Sequence, residues 1–128
     1  MAVRIVRLGT PRRRGEGLRI GTVRRPPRGV PKARYAADDW YDVWLPDLAP
    51  APETVKLGQS AETDRARTAF RKRYRAEMSG AAQRRLLDLL AALSRTADFS
   101  VGCYCADEAR CHRAVLRELL AERGARIG

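Results

Sequence analysis

"DFSVGCYCADEARCHRAVLRELLAERG", residues 98–124, holds a strand, a turn and a helix in one run. "DFSVGCY" is short, apolar and rich in residues that suit a pleated surface. From His112 onward Val115, Leu116 and Leu119 recur at helical spacing, and Gly124 follows where a left-handed cap is favoured. Upstream, "AAQRRLLDLLAALSR" (81–95) places Leu86, Leu89, Leu90 and Leu93 at the same period. Before it, "AETDRARTAFRKRYRAE" (61–77) carries acidic residues near its start and Phe70 with Tyr74 on one face, leaving Arg71, Lys72 and Arg75 outside. Strand and helices thus alternate, and each crossover is long enough to return parallel. The chain is expected to be an α/β protein: a single compact domain over 1–128, with a small, mostly parallel sheet flanked by helices.

Toward the N-terminus, "VRIVRL" (3–8) and "LRIGTV" (18–23) read as two further strands, and "ARI" (125–127) as a last short one. Between the first two, Pro11, Gly15 and Gly17 punctuate a basic loop over 9–17 that is expected to be mobile. Pro26 and Pro27 stop the second strand, since neither can donate to a sheet ladder. The segment 26–58 then mixes further prolines with Trp40, Tyr41 and Trp44. That is too aromatic for a disordered linker, so an ordered excursion is expected, with at most one short helix near Asp38–Leu45 and its indoles packed on the domain.

A chain of 128 residues can bury one core without disulfides or a metal, so any metal would be optional for folding. No run of about 18 apolar residues occurs, and "MAVRIVRLGTPRRR" lacks the apolar stretch of a secretory signal. The expectation is a cytoplasmic protein with no membrane partner. The net charge of +11 is concentrated: residues 1–35 hold ten Arg and one Lys against Glu16 alone, while the rest is nearly balanced. Such a segment attracts anionic small molecules or nucleic acid, or is simply a solvated basic surface.

All three cysteines and the only histidine fall between Cys103 and His112. Three is an odd number for a disulfide framework, which leaves free thiols, a metal or catalysis. On a strand, Phe99, Val101, Cys103 and Cys105 share one face, so Cys103 continues an apolar stripe and reads as packing. Cys111 sits where the chain enters the helix, and a helix start favours the thiolate. Cys111 is therefore the nucleophile candidate, His112 its acid or base, and Arg113 a holder of anions. Alternatively, Cys103, Cys105, Cys111 and His112 have the composition of a tetrahedral zinc site, and an iron-sulfur cluster is also open. Adjacent helical residues diverge by about 100°, so ligation by both Cys111 and His112 requires the helix to start after them. A third reading is a packed patch with a core histidine.

The run "CYCADEARCHRAVL" resembles the C-x-C-x(5)-C-H-R-x-x-L ending of a prokaryotic family catalogued as domain of unknown function 488. "GLRIGTVRRPPRGVPK" is similar to the strand and arginine-proline loop of its short-chain branch, "WLPDLAPAPE" to its W-x-x-x-L-A-P segment and "FRKRYRAEM" to its F-x-x-R-Y-x-x-E segment. The resemblance runs nearly end to end. It implies a compact α/β fold in which the arginine-proline loop and the Cys-His-Arg helix start face one cleft, and it carries Arg24, Arg28 and His112 over as site positions. It implies no activity. Two positions depart from that branch: Val23 stands where an acidic residue usually precedes the loop arginine, and Pro26 where an aromatic usually precedes the loop proline.

The leading functional reading is an enzyme-like domain binding an anionic, phosphate-bearing or nucleotide-like ligand. Arg24, Arg28, Arg113 and Cys105 would hold the ligand, with Cys111 and His112 catalytic. The alternatives are a nucleic-acid-binding module using the basic N-terminal segment, the helix from Arg65 to Arg75 and Trp40 or Trp44, a Cys/His metal protein, and a non-catalytic interaction protein.

Overall fold

The computed structural model describes all 128 residues, Met1–Gly128. Four strands, β1 (Val3–Arg7), β2 (Leu18–Gly21), β3 (Val43–Trp44) and β4 (Phe99–Cys103), form one sheet in the order β1-β4-β2-β3, with every pair parallel. Four helices, α1 (Pro52–Gln59), α2 (Asp64–Glu77), α3 (Ala81–Leu93) and α4 (His112–Glu122), complete the α/β domain. None is long and apolar enough to cross a membrane. The last predicted strand is reduced to one parallel bridge, Val3 with Ile127, on the outer edge of β1.

The strand quoted at the outset is the centre of the sheet. β4 is buried along its whole length because β1 and β2 flank it and both its faces are covered. Val3 and Leu18 both stand opposite Phe99, so the three strands run in step and their carboxyl ends emerge together. Phe99 and Val101 point into the main core with Val3 and Ile20, against Tyr74 of α2, Leu87 and Leu90 of α3, and Val115, Leu116, Leu119 and Leu120 of α4. Cys103, one register step further, leaves that core. It joins Leu8, Val23, Tyr41 and Cys111 in a smaller cluster under the carboxyl ends of the strands.

The other face of the sheet buries charge. Arg19 of β2 is fully buried and grips Glu16 with two parallel hydrogen bonds, Nε to Oε2 at 2.7 Å and Nη2 to Oε1 at 3.0 Å. Its Nη1 donates to the Thr10 and Asp39 carbonyls, and Glu16 also accepts from the Ser100 hydroxyl and the Arg13 N–H. Arg12, in the same loop, pairs with Asp39 and Asp42. Gly21 and Gly102 stand opposite each other across β2 and β4; a Cβ at Gly21 would run into the Tyr41 ring and one at Gly102 would lie 2.5 Å from the Val6 carbonyl oxygen. The close approach is what requires glycine there.

Two expectations are corrected. The short helix near Asp38–Leu45 does not form: Asp39 has a left-handed φ of 62°, and Val43–Trp44 pairs with β2, helped by Asp42 accepting the Arg19 N–H at 2.8 Å. Pro52 instead opens α1, where a missing N–H costs nothing. On α3 the buried stripe is Leu87, Leu90, Ala91 and on to Ser94, while Leu89 and Leu93 face solvent at 60% and 37% exposure. A run of leucines on consecutive turns has no unique phase; Ser94 sets it, donating to the Ala91 carbonyl and accepting the Arg126 N–H. α2 starts at Asp64 because the Thr63 hydroxyl accepts the Ala66 N–H. Its Arg71 and Arg75 are tied to Glu118 and Glu122 of α4. Trp40 packs edge-on against Tyr104, and Trp44 stays partly exposed with its indole N–H donated to the Val23 carbonyl.

Candidate functional site

In an open parallel sheet the helices cannot cover the carboxyl ends of the strands, so a crevice opens there. Here it is a cleft of about 1340 Å³ bounded by the ends of β1, β2 and β4, the arginine-proline loop, α1 and the turn before α4. Six cationic side chains, Arg7, Arg24, Arg25, Arg28, Lys56 and Arg110, line it against one carboxylate, Asp107. Trp40, Tyr104 and Phe70 give it an aromatic wall. Cys103, Cys111 and His112 form its buried floor, and Cys105 lines it from an exposed position.

The floor is built by the strand-to-helix connection. After β4 the chain makes a 3-10 turn over Glu108–Arg110, held by the Asp107 carboxylate accepting the Ala109 N–H at 3.0 Å. Glu108 is in turn clamped by Arg117 of α4 through two hydrogen bonds. Cys111 then caps α4 in an extended conformation (φ −120°, ψ 159°), and His112 is the first helical residue. Cys111 thus lies outside the helical repeat, and the expected divergence of the two side chains does not arise: Sγ of Cys111 is 3.6 Å from Nδ1 of His112.

The histidine tautomer follows from its other partner. Nε2 is 2.8 Å from the Thr22 carbonyl oxygen, which can only accept, so Nε2 carries the proton and Nδ1 offers its lone pair toward Cys111. Burial holds His112 in its neutral form, with its pKa pushed down to about 4 despite the Thr22 carbonyl pulling the other way. The Tyr74 ring packs edge-on against the imidazole, its hydroxyl donated to the Leu48 carbonyl.

The three thiols are all free. The neighbouring thiols of Cys105 and Cys111, and then burial, raise the Cys103 thiol. At Cys111 the neighbouring Cys103 thiol pulls down, but Cys105 and burial outweigh it and push the thiol up to about 11. Cys105 moves the opposite way, lowered by the neighbouring Cys103 and Cys111 thiols and by the charge of Arg113.

Of the residues singled out from the sequence, Arg24, Arg28, Cys103, Cys105, Cys111 and His112 line this one cleft. Arg24 reaches it with two donors already given to the Pro50 and Ala49 carbonyls, which fix its side chain. Arg113 does not line it: the guanidinium is buried and donates to the Cys105 carbonyl at 2.7 Å, so it braces the loop behind the site. Sequence reasoning missed Arg7, Arg25, Lys56 and Arg110. Arg7 and Arg110 were within reach, the first lying near the end of a predicted strand and the second beside Cys111. Lys56 was not, because α1 was unassigned.

These features define a class: a parallel α/β domain with a cation-lined, thiol-floored cleft at the carboxyl ends of its strands. The chain belongs to the DUF488 family, matching the family model described as "Active DUF488-N3 subclade" over residues 3–124. Among curated proteins and solved structures none matches it.

Proposed function

We propose that the chain is an enzyme-like domain whose cleft binds a small anionic ligand, phosphate-bearing or nucleotide-like, between the arginine-proline loop and the Cys-His-Arg helix start. The observation that supports this is the excess of cationic side chains around the cleft, six against one, over a floor that itself carries no carboxylate. Arg28 and Arg110 are exposed at the mouth and free of ion pairs, so their planar forks are available to phosphate oxygens. The aromatic wall of Trp40 and Tyr104 suits a planar group on the same ligand. On accessibility, Cys105 is the thiol such a ligand reaches first; Cys111, the sequence candidate for nucleophile, lies beneath it with its sulfur against His112.

The test is isothermal titration of the full chain with inorganic pyrophosphate at low salt. Arg28→Glu and Arg110→Glu should each weaken binding by at least about tenfold, the loss of one charge-assisted hydrogen bond. Arg85→Glu, an exposed α3 residue outside the cleft, should leave it unchanged. Equal losses in all three variants would reduce the binding to general surface charge and refute the reading.

A further inference from the structure

The floor of the cleft contains more than a thiol and its neighbour. The Sγ atoms of Cys103 and Cys111 and a ring nitrogen of His112 all lie within 4.8 Å of one another. We propose that Cys103, Cys111 and His112 form a zinc site with three protein ligands and a fourth position open to the cleft.

Four observations carry this. In a tetrahedral zinc site with Zn–S of about 2.3 Å and Zn–N of about 2.05 Å, sulfur and nitrogen are about 3.6 Å apart. Cys111 Sγ and His112 Nδ1 already stand at 3.6 Å. The backbone allows the pair to converge, because Cys111 is an extended cap and His112 the first helical residue. The imidazole is oriented as ligating imidazoles usually are, its far N–H given to a carbonyl, here that of Thr22 at 2.8 Å, with the near lone pair directed at the cluster. The donor set also selects the metal: two thiolates and an imidazole suit zinc, whereas magnesium, calcium and manganese take oxygen ligands, and no carboxylate belongs to the cluster. Two thiolates neutralise the dication, which fits a floor buried beneath a cationic rim. All three ligands line the cleft, so the fourth position faces it, and Cys105 lies outside the group of three. The metal site stands independently of the anion reading; only the use of the open position by an anionic ligand rests on it.

The experiment uses the full chain, expressed without a histidine tag, stripped with chelator and then titrated with zinc and with cobalt(II). About one equivalent of zinc should bind, and cobalt should give thiolate-to-metal charge transfer with the visible bands of a tetrahedral ion. Cys103→Ser and Cys111→Ser should each weaken cobalt binding by more than about 100-fold and remove intensity from the charge-transfer band. Cys105→Ser should retain stoichiometry and spectrum. Less than about 0.1 equivalent of zinc on the wild type, or a cobalt spectrum unaltered by Cys111→Ser, overturns the site. Metal loss in Cys105→Ser overturns the open fourth position. The wild-type titration decides the matter even where a variant folds poorly. Pyrophosphate binding by the stripped protein would show the anion reading standing while the metal fails, and zinc binding without pyrophosphate binding would show the reverse.

Discussion

Replacing Glu16 with Gln tests the buried charge that fixes the sheet's second face. Glu16 and Arg19 have side chains 1% exposed, and the carboxylate accepts from Arg19 twice, from Ser100 and from the Arg13 N–H. The amide keeps the shape but leaves the Arg19 guanidinium charged and uncompensated out of water. Breaking one partner of a buried pair costs about 3–5 kcal/mol. The carboxyl's own behaviour gives a second figure. Burial pushes it up, but the Arg19, Ser100 and Arg13 hydrogen bonds outweigh burial and hold it down from 4.5 to about 2. That depression corresponds to about 3 kcal/mol of stability. In a chain of 128 residues, about 3 kcal/mol lowers Tm by about 11 °C. Because the folded pKa lies below the unfolded one, this contribution is complete above about pH 4.5 and is lost as pH falls through about 2. Thermal unfolding followed by circular dichroism should therefore show a gap of that size between wild type and Glu16→Gln at pH 7, closing between pH 4.5 and 2. A gap below about 3 °C at pH 7, or one that persists unchanged in acid, would refute the reasoning.

Iodoacetamide on the native chain should label Cys105 well before Cys103 and Cys111, which are buried, and labelling of all three should equalise in denaturant; mass mapping of peptides reads the order, and equal native rates would contradict the burial. Tyr74→Phe removes the hydroxyl donated to the Leu48 carbonyl at 2.7 Å and should cost about 1–2 kcal/mol, a Tm fall of about 4–7 °C with the fold retained. Gly102→Ala should destabilise by about 1–3 kcal/mol in chemical unfolding, since its Cβ meets the Val6 carbonyl at 2.5 Å in the middle of the β1–β4 pair. A neutral result there would mean the strands separate more freely than their register suggests.

Local pattern revealed most of the architecture and only part of the site. β1, β2, β4 and the last three helices each carry their own period and punctuation, so their order alone implied a parallel sheet. What failed depended on partners distant in sequence. The Asp38–Leu45 segment is too short to carry a period of its own, and Arg12 and Arg19 hold its carboxylates beside β2 and draw it into a strand. Leu86–Leu93 offers two helical phases, and the contacts of Ser94 decide between them. Glu16 looked like one acid in a basic loop; its burial depends on Arg19 three residues away and Ser100 eighty-four away. At the site, the strand-loop-helix order placed Cys105, Cys111 and His112 at one end of the sheet, and the family resemblance supplied Arg24 and Arg28. The direction of Arg113 was not legible, because it depends on which side of the Cys105 carbonyl the loop presents. Nor was the meeting of Cys111 with His112, which requires the helix to begin at His112 with Cys111 extended.

The most direct measurement on the cleft is amide chemical-shift mapping of the full chain titrated with inorganic pyrophosphate at low salt. The account predicts saturable shifts confined to the arginine-proline loop around Arg24–Arg28 and to the connection from Cys103 to His112, the two segments that meet at the cationic rim. Shifts spread over the exposed arginines of α2 and α3, with those two segments unmoved, would contradict it.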